Sequence, residues 1–138
     1  MLKVGFIGLG TMGYPIAGHI SKYYETVVFN RTIKKSQKWT SEFDGEICKS
    51  VEDLVSKSNI ILICLSEDKD IEEIVLGSAG ILEHLNKGTI VIDHSTTSID
   101  IANAISKELL KKDSFYLDAP VSGGEAGAQN GKLSVMIG

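Results

Sequence analysis

A chain of 138 residues, 43% of them hydrophobic, is the size of one ordinary domain with a single sizeable core. Its 14 Lys and Arg against 18 Asp and Glu leave it mildly acidic with no block of like charge, which argues against a nucleic-acid backbone as partner. Every long apolar run is broken well before bilayer length, and Cys48 and Cys64 form neither a C-x-x-C nor a metal-ligand spacing with any histidine, so we expect a cytoplasmic protein with no membrane partner, metal or disulfide.

The first apolar run, Met1 to Ile7, is too short for a signal peptide and leads into glycines; its Lys3 to Ile7 part reads as a strand. Gly8-Leu9-Gly10-Thr11-Met12-Gly13 then has the G-x-G-x-x-G spacing between a strand and a helix. In that setting the first glycine permits the tight turn, the second keeps side chains off a pyrophosphate, and the third lets helix and strand approach. The helix tip supplies free N–H groups and a positive dipole end, so dinucleotide binding is the reading favoured over a plain tight turn. Pro15 falls in the first helical turn, where its missing donor costs little. Met12, Ile16 and Ile20 recur every four residues and predict an apolar stripe facing the sheet.

A second strand is predicted from Glu25 to Asn30. At its end an NAD-binding domain usually carries an acid for the ribose 2′-hydroxyl, whereas this chain has Asn30-Arg31-Thr32. Neutral Asn30 tolerates a 2′-phosphate and the Arg31 guanidinium can pair with it, which favours NADP over NAD. The bland alternative makes Asn30 a turn residue and Arg31 a solvated charge.

Further strands are predicted at Glu46 to Lys49, Ile60 to Leu65, Thr89 to Asp93, Phe115 to Asp118 and Leu133 to Ile137. The unbroken apolar run of the Ile60 segment suits a strand covered on both faces. Ser50-Val51-Glu52-Asp53 and Thr97-Ser98-Ile99-Asp100 have capping-box spacing, and Ile101, Ile105 and Leu109 form the stripe of the helix that follows the second of these. Strand-terminal Asp93 and Asp118 are expected to hold loop N–H groups, and His94, His19 and His84 are read as structural. The alternation of strands with helical segments predicts an α/β, Rossmann-type doubly wound, mostly parallel sheet with helices on both faces. A strand-like run directly before Gly138 leads us to expect the front part of a longer protein; the alternative is a short chain that buries this edge by oligomerising.

Three motifs resemble the β-hydroxyacid dehydrogenase family, which includes 3-hydroxyisobutyrate dehydrogenase and, more distantly, 6-phosphogluconate dehydrogenase. They are Gly5 to Gly13, Asp93-His94-Ser95-Thr96-Thr97, and Asp118-Ala119-Pro120-Val121-Ser122-Gly123-Gly124 with its continuation through Leu133. The resemblance implies an oxidoreductase moving a hydride between NADP(H) and a small β-hydroxyacid or its semialdehyde. It places Leu65 and Ser66 beside the cofactor, although the family more often has proline at Ser66, and Thr96 near the nicotinamide ribose. Ser95 and Thr96 have helix-cap roles as their alternative reading. Ser122, Gly123 and Gly124 match the loop that binds the substrate carboxylate, and consecutive N–H groups with a hydroxyl make a suitable anion nest there. The family's proton-transferring lysine and its all-helical, dimer-forming second domain would lie beyond Gly138, so residues 1–138 correspond to the NADP-binding domain and no catalytic residue is assigned within them. A non-catalytic dinucleotide-binding module is the alternative function.

Overall fold

Apolar runs that alternate with amphipathic segments fold here into one repeated unit, strand then helix. A computed structural model describes residues 2–138. In chain order the elements are β1 (Lys3–Ile7), α1 (Gly13–Ser21), β2 (Glu25–Phe29), α2 (Ile33–Glu42), β3 (Glu46–Ile47), α3 (Val51–Lys57), β4 (Ile60–Ile63) and α4 (Asp68–Leu76). The second half continues with α5 (Ile81–His84), β5 (Ile90–Asp93), α6 (Ile99–Lys111), β6 (Phe115–Asp118), β7 (Val121–Ser122), α7 (Gly124–Gln129) and β8 (Ser134–Val135).

Six strands form a parallel sheet in the order β3-β2-β1-β4-β5-β6. Strand order reverses between β1 and β4, where Ile7 lies opposite Ile63, and ligands of open α/β sheets bind beyond the carboxyl ends of strands at such a reversal. Because side chains of a strand alternate between faces, neighbouring residues feed two cores. Phe6, Val28 and Leu62 pack with Leu9, Ala17 and Trp39. Ile7, Val27, Ile61 and Ile63 pack on the other face with Leu54, Ile71, Ile105 and Leu109. The predicted α/β fold with helices on both faces is therefore observed.

Several boundaries move. Strand β2 ends at Phe29, leaving Asn30 in the loop, while β3 stops at Ile47, β4 stops at Ile63 and β5 starts at Ile90. The predicted Leu133–Ile137 strand is only Ser134–Val135, and it pairs antiparallel with β7 instead of joining the large sheet. Only Ala119 and Pro120 separate β6 from β7, too few for the crossover of a parallel neighbour, and the chain after α7 returns antiparallel along that segment, with Met136 N donating to Pro120 O and Gly138 N to Asp118 O, both at 2.9 Å.

Helix α1 also corrects the predicted stripe. It buries Gly13, Ala17 and Gly18, Met12 precedes it, and Ile16 and Ile20 are only partly buried. Small residues on that face bring the helix axis close to the sheet, which leaves the larger side chains at its flanks. Ser50 caps α3 as expected, accepting from Asp53 N at 3.0 Å. At α6 the cap is Ser98, not Thr97, and it accepts from Ile101 N at 3.4 Å.

The α6 stripe holds as read: Ile105 and Leu109 are fully buried, while Leu110 is 54% exposed. Leu109→Ala should therefore destabilise the fold by about 2–5 kcal/mol in urea unfolding, and Leu110→Ala by less than about 0.5 kcal/mol. Equal effects would show that α6 is seated on another face.

Candidate dinucleotide and substrate clefts

The site begins at the glycine turn. Gly8 has φ +100°, a left-handed value that glycine adopts freely, and its N–H donates to Phe29 O at 3.1 Å. A Cβ on Gly8 would strike the Cys64 carbonyl oxygen, and one on Gly13 would strike the carbonyl oxygen of Gly8. Around Gly10, by contrast, a Cβ would meet nothing within 4 Å. Two glycines are thus required by the turn itself, and the middle one keeps an open surface bare. No side chain caps α1 and no acid stands in its first turn, so its tip presents N–H groups and a positive dipole end to that surface.

Asn30 fastens this turn to the next loop. Its Oδ1 accepts from Leu9 N at 2.9 Å and its Nδ2 donates to Thr32 O at 3.0 Å. An amide can do both at once, whereas a carboxylate only accepts. Asn30 is therefore a turn residue as well as a neutral one. Arg31 reaches across to α4, with Nη2 3.5 Å from Asp70 Oδ1 and 4.0 Å from Glu73 Oε2. A cleft of about 230 Å³ is lined by Gly8, Gly10, Asn30 to Thr32, Lys35, Leu65, Ser66 and Asp70. Lys35 escaped the sequence reading; its one signal is its place a helical turn after Thr32, whose carbonyl accepts its N–H at 3.1 Å.

A second cleft of about 540 Å³ shares Gly10, Leu65 and Ser66 with the first and extends along Thr11 to Gly13, His94 to Thr96 and Val121 to Gly124. It thus brings together three motifs far apart in sequence. The organising group is Asp93, whose fully buried carboxylate accepts from Ser95 N at 2.9 Å, the Thr97 hydroxyl at 2.6 Å and the Tyr116 hydroxyl at 2.6 Å. Ser95 Oγ in turn accepts from Leu65 N at 2.8 Å, which ties the ends of β4 and β5 together. Ser95 and Thr96 are consequently not caps of α6, and Thr96 is left exposed between anchored neighbours. His94 lines the cleft with Nδ1 2.9 Å from the Ala119 carbonyl oxygen. Gly123 and Gly124 take consecutive left-handed φ values of 136° and 64°, which no pair of bulkier residues would hold easily. Burial, with the Asp93 carboxylate beside it, pushes the Cys64 thiol up to about 11, which disfavours the thiolate at neutral pH.

His19, read as structural on sequence, ties down the helix that follows the loop on one side of this cleft. Its Nε2 lies 2.9 Å from both Ala128 O and Gln129 O, so an N–H there fastens α1 to α7, the helix that follows the Ser122–Gly124 loop. Nothing local in the sequence signals a contact across more than 100 positions.

Residues 3–138 match the model of the NAD binding domain of 6-phosphogluconate dehydrogenase. The chain belongs to this family. An uncharacterized oxidoreductase of Shewanella frigidimarina is 42% identical over 100% of this chain and 48% of its own length. The mitochondrial 3-hydroxyisobutyrate dehydrogenase of Rattus norvegicus is 33% identical over 98% of this chain and 40% of its own. A solved complex of Psf3 with NADP+ and 2-OPP superimposes with a TM-score of 0.92 at 27% identity, covering 97% of this chain and 48% of that one. The chain spans about half the length of the curated relatives it matches. The likeness to the β-hydroxyacid dehydrogenases read from the motifs is thereby established for their N-terminal, NAD(P)-binding domain.

The geometry fits the dinucleotide that this domain family is described as binding: a bare surface at Gly10, which a side chain there would cover, beneath an uncapped helix tip. Among the described residues no group of three His, Cys, Asp or Glu side chains could hold a metal ion, and no helix is long and apolar enough to cross a membrane.

Asp118 corrects one sequence expectation. Its side chain holds no loop N–H; Oδ1 is buried without a partner, and only its backbone carbonyl accepts, from Gly138 N at 2.9 Å. Burial, then the negative Asp93 aligned with it on β5, raise the Asp118 pKa above the usual carboxylate range. A carboxyl raised on folding favours the native state when protonated, and that contribution is lost as pH rises through its folded value. Asp118→Asn should accordingly raise the melting temperature at pH 7, with the gain over the parent shrinking toward pH 4. A gain independent of pH would refute this assignment.

Proposed function

We propose that this chain is the cofactor-binding part of an oxidoreductase that uses NADP(H) and acts on a small β-hydroxyacid or its semialdehyde. The observation that carries the proposal is the bare surface at Gly10 under the uncapped tip of α1, open toward Arg31 and Lys35 on one side and toward Thr96 and Ser122–Gly124 on the other. In this reading the turn from Gly8 through Leu9, Gly10, Thr11 and Met12 to Gly13 cradles the pyrophosphate: the N–H groups of Gly10 to Gly13 reach it, while those of Gly8 and Leu9, held by Phe29 O and Asn30 Oδ1, fix the turn beneath. Arg31, Thr32 and Lys35 hold the adenosine 2′-phosphate, with Asn30 keeping their loop in place and adding no negative charge. The backbone of Leu65 and Ser66 flanks the cofactor, Thr96 meets the nicotinamide ribose, and the Ser122, Gly123 and Gly124 loop takes the substrate carboxylate. When bound, the nicotinamide supplies or accepts the hydride.

The likeness to a protein solved with NADP+ supports the phosphorylated cofactor. Proton transfer at the substrate oxygen belongs, in this proposal, to a lysine beyond Gly138 on an all-helical second domain, which would also join two protomers into a homo-oligomer. Two free thiols, one buried and one half-buried, support a reducing, cytoplasmic setting.

Gly10→Ala tests the cradle without disturbing the fold, because the added methyl meets only open space. NADPH binding by calorimetry should weaken at least about tenfold while unfolding free energy moves by less than about 0.5 kcal/mol. Unchanged affinity would place the dinucleotide elsewhere. The parent should bind NADPH more tightly than NADH, and Arg31→Ala should cost NADPH about 10- to 100-fold, the value of a charge-assisted contact, while sparing NADH. Equal parent affinities would remove the NADP assignment. Oxidation of NADPH by the full-length protein across a panel of small aldehydes tests the reaction class, and silence throughout would count against it.

A further inference from the structure

Arg31, the cation nominated for the 2′-phosphate, already has anionic partners. Its guanidinium stands 3.5 Å from Asp70 and 4.0 Å from Glu73, which lie one helical turn apart on the same side of α4. Asp70 lines the same cleft as Arg31 and Lys35, and its side chain is only 23% exposed, so its charge acts on that cleft with less screening than a surface carboxylate would. The proposed 2′-phosphate pocket thus has two cations, Arg31 and Lys35, and one carboxylate, Asp70, in its lining, with Glu73 reaching Arg31 from the exposed side of α4.

We infer that Asp70 and Glu73 are specificity-determining residues that compete with a phosphorylated cofactor for Arg31 and so set the ratio of NADPH to NADH binding. The inference rests on the NADP reading above. A 2′-phosphate that pairs with Arg31 must displace the carboxylates and then remain beside their negative charge, a like-charge arrangement that opposes binding. A cofactor with a free 2′-hydroxyl leaves the Arg31–Asp70 pair intact and incurs neither cost. It also finds in Asp70 an acid at the cleft, where Asn30 has replaced the acid that usually ends β2 in NAD-binding domains. Arg31 accordingly works as a two-position arm, turned to α4 in one case and to the phosphate in the other. Surface ion pairs as exposed as Arg31–Glu73 hold weakly, which is what allows the arm to be released.

Calorimetric titration of NADPH and NADH into the parent, the Asp70→Asn/Glu73→Gln double variant, Arg31→Ala and the triple variant tests this directly. The double variant should bind NADPH roughly tenfold more tightly, with NADH unchanged or weakened up to about threefold, and the triple variant should lose that gain. Glu73→Gln alone, at a side chain 74% exposed, should move the ratio in the same direction and serves where the double variant unfolds. If Arg31→Ala lowers NADPH affinity but removing the carboxylates leaves the ratio unchanged, this inference falls and the NADP reading stands. If Arg31→Ala alters neither cofactor, the NADP reading falls and this inference goes with it.

Discussion

Between β1 and α1 the backbone of Gly13 rests against the carbonyl oxygen of Gly8 so closely that a Cβ cannot be placed there. Gly8 in turn lies against the Cys64 carbonyl at the end of β4. These two contacts draw the first helix down onto the reversal point of the sheet, and the rest of the site is measured from them. They aim the uncapped tip of α1 at Gly10, they make small residues the buried face of that helix, and they set the distance at which Leu9 N meets Asn30. A methyl group on Gly13 would lift the helix, and one on Gly8 would push the turn away from the end of β4; either would shift the bare Gly10 surface relative to both clefts.

The remaining walls are fastened by polar groups buried for the purpose. Asp93 accepts from three donors, and these hydrogen bonds lower the cost of burying its carboxyl group below that of an isolated one. The donors that satisfy it come from the loop after β5 and from β6, and Ser95 extends the chain to Leu65. Asp118, its neighbour across the ladder, has no comparable partners and carries the electrostatic strain of the pair. Loops around a binding cleft need this kind of anchoring, because the N–H groups that ligands use are available only if other groups hold the backbone still.

Charge at the far end is balanced in another way. The loop after β2 offers Arg31 and the first turn of α2 offers Lys35, and α4 answers Arg31 with Asp70 and Glu73. A cleft whose rim is electrically compensated recognises its ligand through a small difference between competing contacts. In the proposed reading, cofactor choice at this cleft rests on residues from two separate crossovers, not on one motif.

What could be read from the chain alone was whatever rests on local geometry. The glycine turn, the Ser50 cap and the Ile101–Ile105–Leu109 stripe are decided within a turn or two of backbone, and apolar alternation was enough for the parallel sheet with two helical layers. The three motifs also revealed the family, because each keeps its residues contiguous. Only the folded chain could decide which face α1 buries, that residues 134–135 pair with β7, that His19 holds α7, and that Arg31 faces Asp70 and Glu73. Each of these depends on groups from different crossovers meeting at one end of the sheet, and sequence patterns carry helical and strand periods but not the distances between elements that share none.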